Sequence, residues 1–253
     1  MAINVDKAWF LVRALLLVCP DHAKDIETAL GSGADCLVFD LTQTTAAADM
    51  PLARQRVLAG LHRARLQTHP PSLYVRVGSL PDEQVDADLD AIMPGRPDGI
   101  LLSRSQNGAD VQHLSVKLSV READHGQSDG VTKIIAMVAA TAAAIFELGS
   151  YRGASRRLSG LIYSGAEIGA AHGDAARDLA DGPLAPAFAL ARSLTLFAAK
   201  AANVVAIDAA SPSNMDDACL LRECETARRE GFSAKLAVDR DQVAIINAIF
   251  AEQ

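Results

Sequence analysis

Short apolar runs alternate with longer amphipathic stretches along the chain. Arg13-Ala-Leu-Leu-Leu-Val18 is continuous and apolar, and a polar loop and the helical stretch Ala23 to Ser32 follow it. Gly31 and Gly33 end that helix as C-terminal glycines do. Cys36 to Asp40 is a second run, and Pro51 stands near the start of a long amphipathic helix to Leu66. Leu73 to Val77 leads to an acidic, leucine-bearing helix from Asp82 to Ile92, and Gly99 to Leu102 leads to a helix from about Gly108 to Leu118. Lys133 to Val138 precedes an alanine-rich helix around Thr141 to Leu148. Leu158 to Tyr163 is followed by a glycine- and alanine-rich loop and a helix, Ala185 to Ala202. Val204 to Asp208 leads to the helix Ala218 to Glu230, and Lys235 to Val238 to the helix Gln242 to Ala251.

Eight apolar runs, each followed by a helix and spaced by about 30 residues, predict a single-domain (β/α)8 barrel, the TIM barrel, over residues 1–253. Strands covered on both faces explain runs without polar alternation. The rival is an open doubly wound sheet, whose first turn should carry G-x-G-x-x-G; Val18-Cys-Pro-Asp-His-Ala carries none. Ser119 to Thr132 is polar and glycine-containing, and is expected as a mobile loop on the face away from the site.

Charge narrows the partners. The net charge is −7 and no lysine- or arginine-dense run offers a phosphate-neutralising face, so no nucleic-acid partner is expected. Arg152, Arg156 and Arg157 form the densest basic cluster and read as a solvated turn. The run from Trp9 to Cys19 is interrupted by Arg13 and too short to span a bilayer, so no membrane partner is expected. Cys19, Cys36, Cys219 and Cys224 lack CxxC spacing and read as reduced thiols of a cytoplasmic protein.

In a barrel the strand ends converge on one mouth, where active sites sit. The residues there are Cys19, Asp40, Arg76, Arg104, Ala139 and Ala140, Ser164 to Glu167, Asp208, and Lys235 to Asp239. Two arginines and a lysine against carboxylates suit an anionic ligand, because guanidinium grips carboxylates bidentately. The alternative is that these charges pair among themselves and plug a polar barrel end. His22, His62, His69, His113, His125 and His172 show no ligand spacing; His172 could serve as a base but reads as a loop residue. Lys235 and Asp239 are expected to form a local salt bridge, and Cys19 to be core.

At these residues the chain resembles the citrate lyase beta-subunit-like branch of the HpcH/HpaI aldolase superfamily. Ala29-Leu-Gly-Ser-Gly-Ala-Asp-Cys-Leu-Val-Phe-Asp-Leu is similar to its A-L-x-S-G-A-D-x-L-I-L-D-L stretch, Tyr74-Val-Arg-Val to V-R-V-N, and Pro97-Asp-Gly-Ile-Leu-Leu to P-D-G-I-V-L-P-K. Arg13-Ala-Leu-Leu-Leu-Val, Ala206-Ile-Asp208 and Gly231 to Asn247 extend the likeness over nearly the whole chain. The resemblance implies a magnesium-dependent lyase acting on acyl-CoA thioesters such as citryl- or malyl-CoA, the metal steadying an enolate left by carbon–carbon cleavage. It also implies a homo-oligomer, a trimer or larger, for which the alanine-rich helices allow close approach.

Residue by residue, the resemblance makes Arg76 the substrate arginine, with Gly78 in place of the asparagine of V-R-V-N. It keeps Asp40 as a catalytic acid and places Thr42 and Gln43 where further acids stand in D-L-E-D. Arg104 takes the place of a lysine and Gln106 of a glutamate; Arg76, Arg104, Asp208 and Lys235 make up the expected substrate frame. The metal-binding Glu of E-T-A-R falls on Ala140, its Arg on Ala143, and the ligand Asp of G-x-E-D on Ile168, leaving Glu167 as a possible metal ligand. Magnesium is usually anchored by one or two carboxylates, which alanine and isoleucine do not supply. Two functions follow. One is a carbon–carbon lyase or thioesterase that relies on a relocated acid, Glu167 with Asp40. The other is a non-catalytic barrel that binds a CoA ester or dicarboxylate through Arg76, Arg104 and Lys235.

Overall fold

The structure, a computed structural model, describes residues 12–21, 23–43, 46, 48–165, 167 and 185–251. Each apolar run forms a strand: β1 (Ala14–Val18), β2 (Cys36–Asp40), β3 (Ser72–Val77), β4 (Gly99–Leu102), β5 (Lys133–Val138), β6 (Leu158–Tyr163), β7 (Val205–Asp208) and β8 (Ala234–Ala237). The strands run parallel in the order 1 to 8, and β8 closes on β1 from Ala14↔Lys235 to Leu16↔Ala237. The (β/α)8 barrel holds, and the open sheet does not.

A helix follows each strand: α1 (Ala23–Leu30), α2 (Met50–Arg65), α3 (Gln84–Ile92), α4 (Gly108–Asp124), α5 (Ala142–Phe146), α6 (Pro186–Ala202), α7 (Asp217–Glu230) and α8 (Asp241–Phe250). Local chemistry sets several ends. Asn107 caps α4 by accepting from the amides of Ala109 and Asp110, Asp216 caps α7 from Cys219, and Gly231 (φ 111°) ends α7 in the left-handed region. Among the described residues no helix is long and apolar enough to cross a membrane.

Two apolar layers divide the strand side chains by parity. Leu15, Cys36, Val38, Tyr74, Leu101, Ile135, Ile162, Ile207 and Leu236 fill the lumen. Leu16, Leu37, Phe39, Val75, Ile100, Ala206 and Ala237 face the helices. The lumen is tight. Tyr74 lies opposite Gly99 in the β3–β4 register, and a Cβ on Gly99 would sit 2.2 Å from Tyr74 Cε1.

The face away from the strand ends corrects two expectations. Arg157 is not part of a solvated turn: it is 1% exposed and grips the fully buried Glu122 bidentately, at 2.6 and 2.7 Å. Glu122 also accepts the amides of Gly130 (2.9 Å) and Thr132 (2.8 Å). Burial pushes this carboxyl up, and Arg157 with those amides outweighs it, holding Glu122 below its ordinary value. That anchoring carries α4 on to Asp124, so Ser119 to Asp124 is helix rather than loop. Arg152 and Arg156 are exposed, as expected. The alanine-rich helix is also shorter than expected, α5 ending at Phe146 with a 3-10 turn, Leu148–Tyr151, beyond it.

Candidate functional site

The C-terminal strand ends carry a linked polar cluster. Asp40 continues the lumen parity of Cys36 and Val38, and Arg76 that of Tyr74; the two are register partners. Arg76 Nη1 donates to Asp40 Oδ2 at 3.0 Å, Nε to Ser103 Oγ at 2.8 Å, and Nη2 to Glu167 Oε1 at 3.5 Å. Asp40 Oδ1 accepts from the amide of Thr42 (2.9 Å) and from its hydroxyl (2.6 Å), and Gln43 Nε2 reaches Oδ2 at 3.4 Å. Ser164 Oγ donates to Glu167 Oε2 at 3.1 Å.

The two carboxylates are held differently. The Asp40 side chain is 1% exposed and has four donors converging on it, so its charge is compensated within the protein. Glu167 is 25% exposed, and its reach to Arg76 is the longest bond of the cluster. Thr42 and Gln43, where acids were the family pattern, instead act as donors to Asp40. Ser103 was missed from sequence; it lies one residue past the apolar run of β4, in lumen parity with Leu101, and that alternation was its one signal.

Other expected members of the ring are placed elsewhere. Asp208 and Lys235 have the opposite parity to the lumen residues Ile207 and Leu236, so they face the helices and do not line the mouth. Lys235 Nζ, 3% exposed, donates to Asp208 Oδ2 at 2.7 Å and to the carbonyl of Ala209 at 2.8 Å. Arg192 of α6 reaches Asp208 Oδ1 at 3.3 Å and stacks over Phe232, 4.7 Å from its centroid. This is a joint between barrel and helices, and it sets both residues apart from the ring at the mouth where the sequence placed them. It also replaces the expected Lys235–Asp239 bridge, because Asp239 accepts from the amide of Asp241 at 3.0 Å.

Arg104 is exposed on the rim after β4, in the left-handed region at φ 50°, and Gln106 Nε2 donates to its carbonyl at 2.8 Å. At the end of β5 the buried Ala139 also takes a left-handed φ of 60°, a strained choice for a residue with a Cβ. Ala140 follows, 2% exposed, and Thr141 caps α5 while donating to Gln106 Oε1 at 2.9 Å. Cys19 is half-buried at the end of β1, its thiol pushed up by burial, while Cys36 and Cys224 are buried. Thr44, Ile168, His22 and His172 lie outside the described residues.

Ala140 presents a methyl group where a ligand oxygen was sought, and Asp40 and Glu167 share a guanidinium. Among the described residues no group of three or more His, Cys, Asp or Glu side chains is placed to hold a metal.

The model of the HpcH/HpaI aldolase/citrate lyase family matches residues 13–239, nearly the whole of this barrel. The chain belongs to that family. It is 25% identical over 243 residues to the citrate lyase subunit beta of Leuconostoc mesenteroides, covering 95% of this chain and 77% of the relative. It is 26% identical over 251 residues to a (3S)-malyl-CoA thioesterase of Cereibacter sphaeroides, covering 94% and 77%. Among solved structures, the CitE protein of Mycobacterium tuberculosis in complex with magnesium and acetate superimposes with a TM-score of 0.79 at 21% identity, over 98% of this chain and 94% of that one. The same protein with magnesium, acetoacetate and coenzyme A gives 0.76 at 20% identity, over 96% and 82%. At those identities the structures bear on the fold, which they share. Family membership thus rests on the chain's own match, and the cluster around Arg76 is what this member holds at the mouth.

Proposed function

We propose that this family member binds a carboxylate-bearing acyl-CoA ester, or the dicarboxylate that forms its acyl end, at Arg76, and does so without magnesium and without cleaving it. The observation that carries the reading is the Asp40–Arg76–Glu167 cluster beside Ala139 and Ala140: a guanidinium supplies the positive charge, and the strand end that would offer an oxygen ligand offers methyl groups. The Arg76 guanidinium is held at 2.8 Å by Ser103 and at 3.0 Å by Asp40, and its Nη2 edge, which meets Glu167 at 3.5 Å, is the weakly held side at which a ligand carboxylate would bind. The exposed Arg104 extends positive charge along the rim toward the anionic remainder of a CoA ester. The ligand class is that named for the relatives, citrate lyase beta subunits and malyl-CoA thioesterases.

Calorimetry with malyl-CoA and acetyl-CoA, with magnesium and with EDTA, tests this, while chromatography follows the thioester. Binding of malyl-CoA with the same affinity in EDTA, and an intact ester after prolonged incubation, is the expected outcome. Turnover that EDTA abolishes would refute it and return the chain to metal-dependent lyase chemistry. We also propose a homo-oligomer, a trimer as the family resemblance implied; Phe146 and Phe197, 88% and 71% exposed, support burial of apolar surface between copies. Light scattering at a monomer mass would remove that part.

A further inference from the structure

We propose that Glu167 is an internal stand-in for the ligand: its carboxylate occupies the seat on Arg76 that an incoming carboxylate takes, and binding is an exchange of one for the other. The inference rests on the binding reading above and adds a residue that sets the strength of binding.

The charges around Arg76 require the exchange. One guanidinium already faces two carboxylates, Asp40 at 3.0 Å and Glu167 at 3.5 Å. A third carboxylate brought to the same fork would leave three negative charges around one positive, in a largely dry site, and like charges there repel strongly. One of the two resident carboxylates must leave, and the geometry distinguishes them. Asp40 is 1% exposed and receives both the amide and the hydroxyl of Thr42, so leaving Arg76 would strand a buried charge. Glu167 is 25% exposed and makes the longer bond. Its other oxygen, held by Ser164 at 3.1 Å, gives it a second partner that does not depend on Arg76. When Glu167 turns away and a ligand carboxylate enters, Arg76 keeps one fixed and one exchangeable counter-charge. The charge at the mouth is unchanged.

Malonate and its neutral analogue malonamide are titrated calorimetrically, in EDTA, into the full-length protein and its Glu167→Gln and Glu167→Ala variants. Removing the internal competitor should tighten malonate binding up to about fivefold, which is roughly 1 kcal/mol, the upper size expected for losing a partly exposed charged pair. Malonamide affinity should not change, which separates charge exchange from a mouth merely opened. Equal malonate affinity for wild type and both variants overturns the exchange while leaving the binding reading intact. Equal tightening of malonate and malonamide overturns it as well, as does weaker malonate binding by both variants. Malonate binding seen only in the variants supports the exchange, and a wild type that fails to bind malyl-CoA counts against the binding reading alone.

Discussion

Replacing Glu122 with glutamine puts a number on the buried pair that holds α4 to the barrel. Glu122 is fully buried, and each of its oxygens accepts two N–H groups: Oε1 from Arg157 and Thr132, Oε2 from Arg157 and Gly130. An amide turned either way sets its NH2 against two donors and leaves the guanidinium without its buried counter-charge. Breaking a buried pair by removing one partner costs about 3–5 kcal/mol. Asp129 Oδ1 still reaches Arg157 at 2.6 Å, but it is 60% exposed and offsets at most about 1 kcal/mol. A loss of about 3–4 kcal/mol is therefore expected, or roughly 6–16 °C in Tm at about 2–4 °C per kcal/mol for a chain of this size. Far-UV circular dichroism melts of the two proteins measure it. The pH dependence supplies a second reading. Glu122 titrates below its ordinary value when folded, so its stabilisation is complete above the unfolded carboxylate pKa of about 4.3 and fades as pH falls through the lowered folded value. The gap between wild type and variant should be flat from neutral pH down to about 5 and close in acid. A Tm shift under about 2 °C, or a gap that does not close in acid, would refute the assignment of this pair as an anchor.

Lys235→Met should cost about 3 kcal/mol in urea unfolding, since it leaves the buried Asp208 with Arg192 as its remaining partner at 3.3 Å, and should leave malyl-CoA affinity within about twofold. Lost affinity in a variant of undiminished stability would return Lys235 to the mouth. Gly99→Ala should lower the urea midpoint by the equivalent of about 1–3 kcal/mol, because its Cβ would meet the Tyr74 ring at 2.2 Å, and Tyr74→Leu in the same chain should recover part of that loss. No recovery in the double variant would refute the lumen contact as the cause.

The barrel was legible because a strand covered on both faces is apolar throughout, and Arg13 to Val18, Lys133 to Val138 and the other runs are of that kind. That same property hides the site. Where neither face alternates with polar residues, nothing in Val204-Val-Ala-Ile-Asp208 says which side chains enter the lumen, so Asp208 and Lys235 looked like members of the ring that Asp40 and Arg76 form. Parity was readable only after closure placed Ile207 and Leu236 inside. The pairing of Asp40 with Arg76 is likewise non-local, set by the register of β2 against β3. Arg157 illustrates the opposite error. Three nearby arginines look like a solvated surface, and only the fold brings Glu122, 35 residues away, under one of them.

Asp40 shows why the mouth and the fold cannot be altered independently. A carboxylate 1% exposed needs compensation whether or not a ligand is present, and Arg76 with Thr42 provides it. The guanidinium is therefore first a partner of the protein and only then open to a ligand. Removing Arg76 would unfold part of the mouth as well as abolish binding, and the two losses would look alike. Glu167 is the better handle: it shares Arg76, is a quarter exposed, and carries no buried charge that its loss would strand. A change in affinity on altering Glu167, with the melting temperature held, therefore reports on the chemistry of the mouth rather than on its integrity.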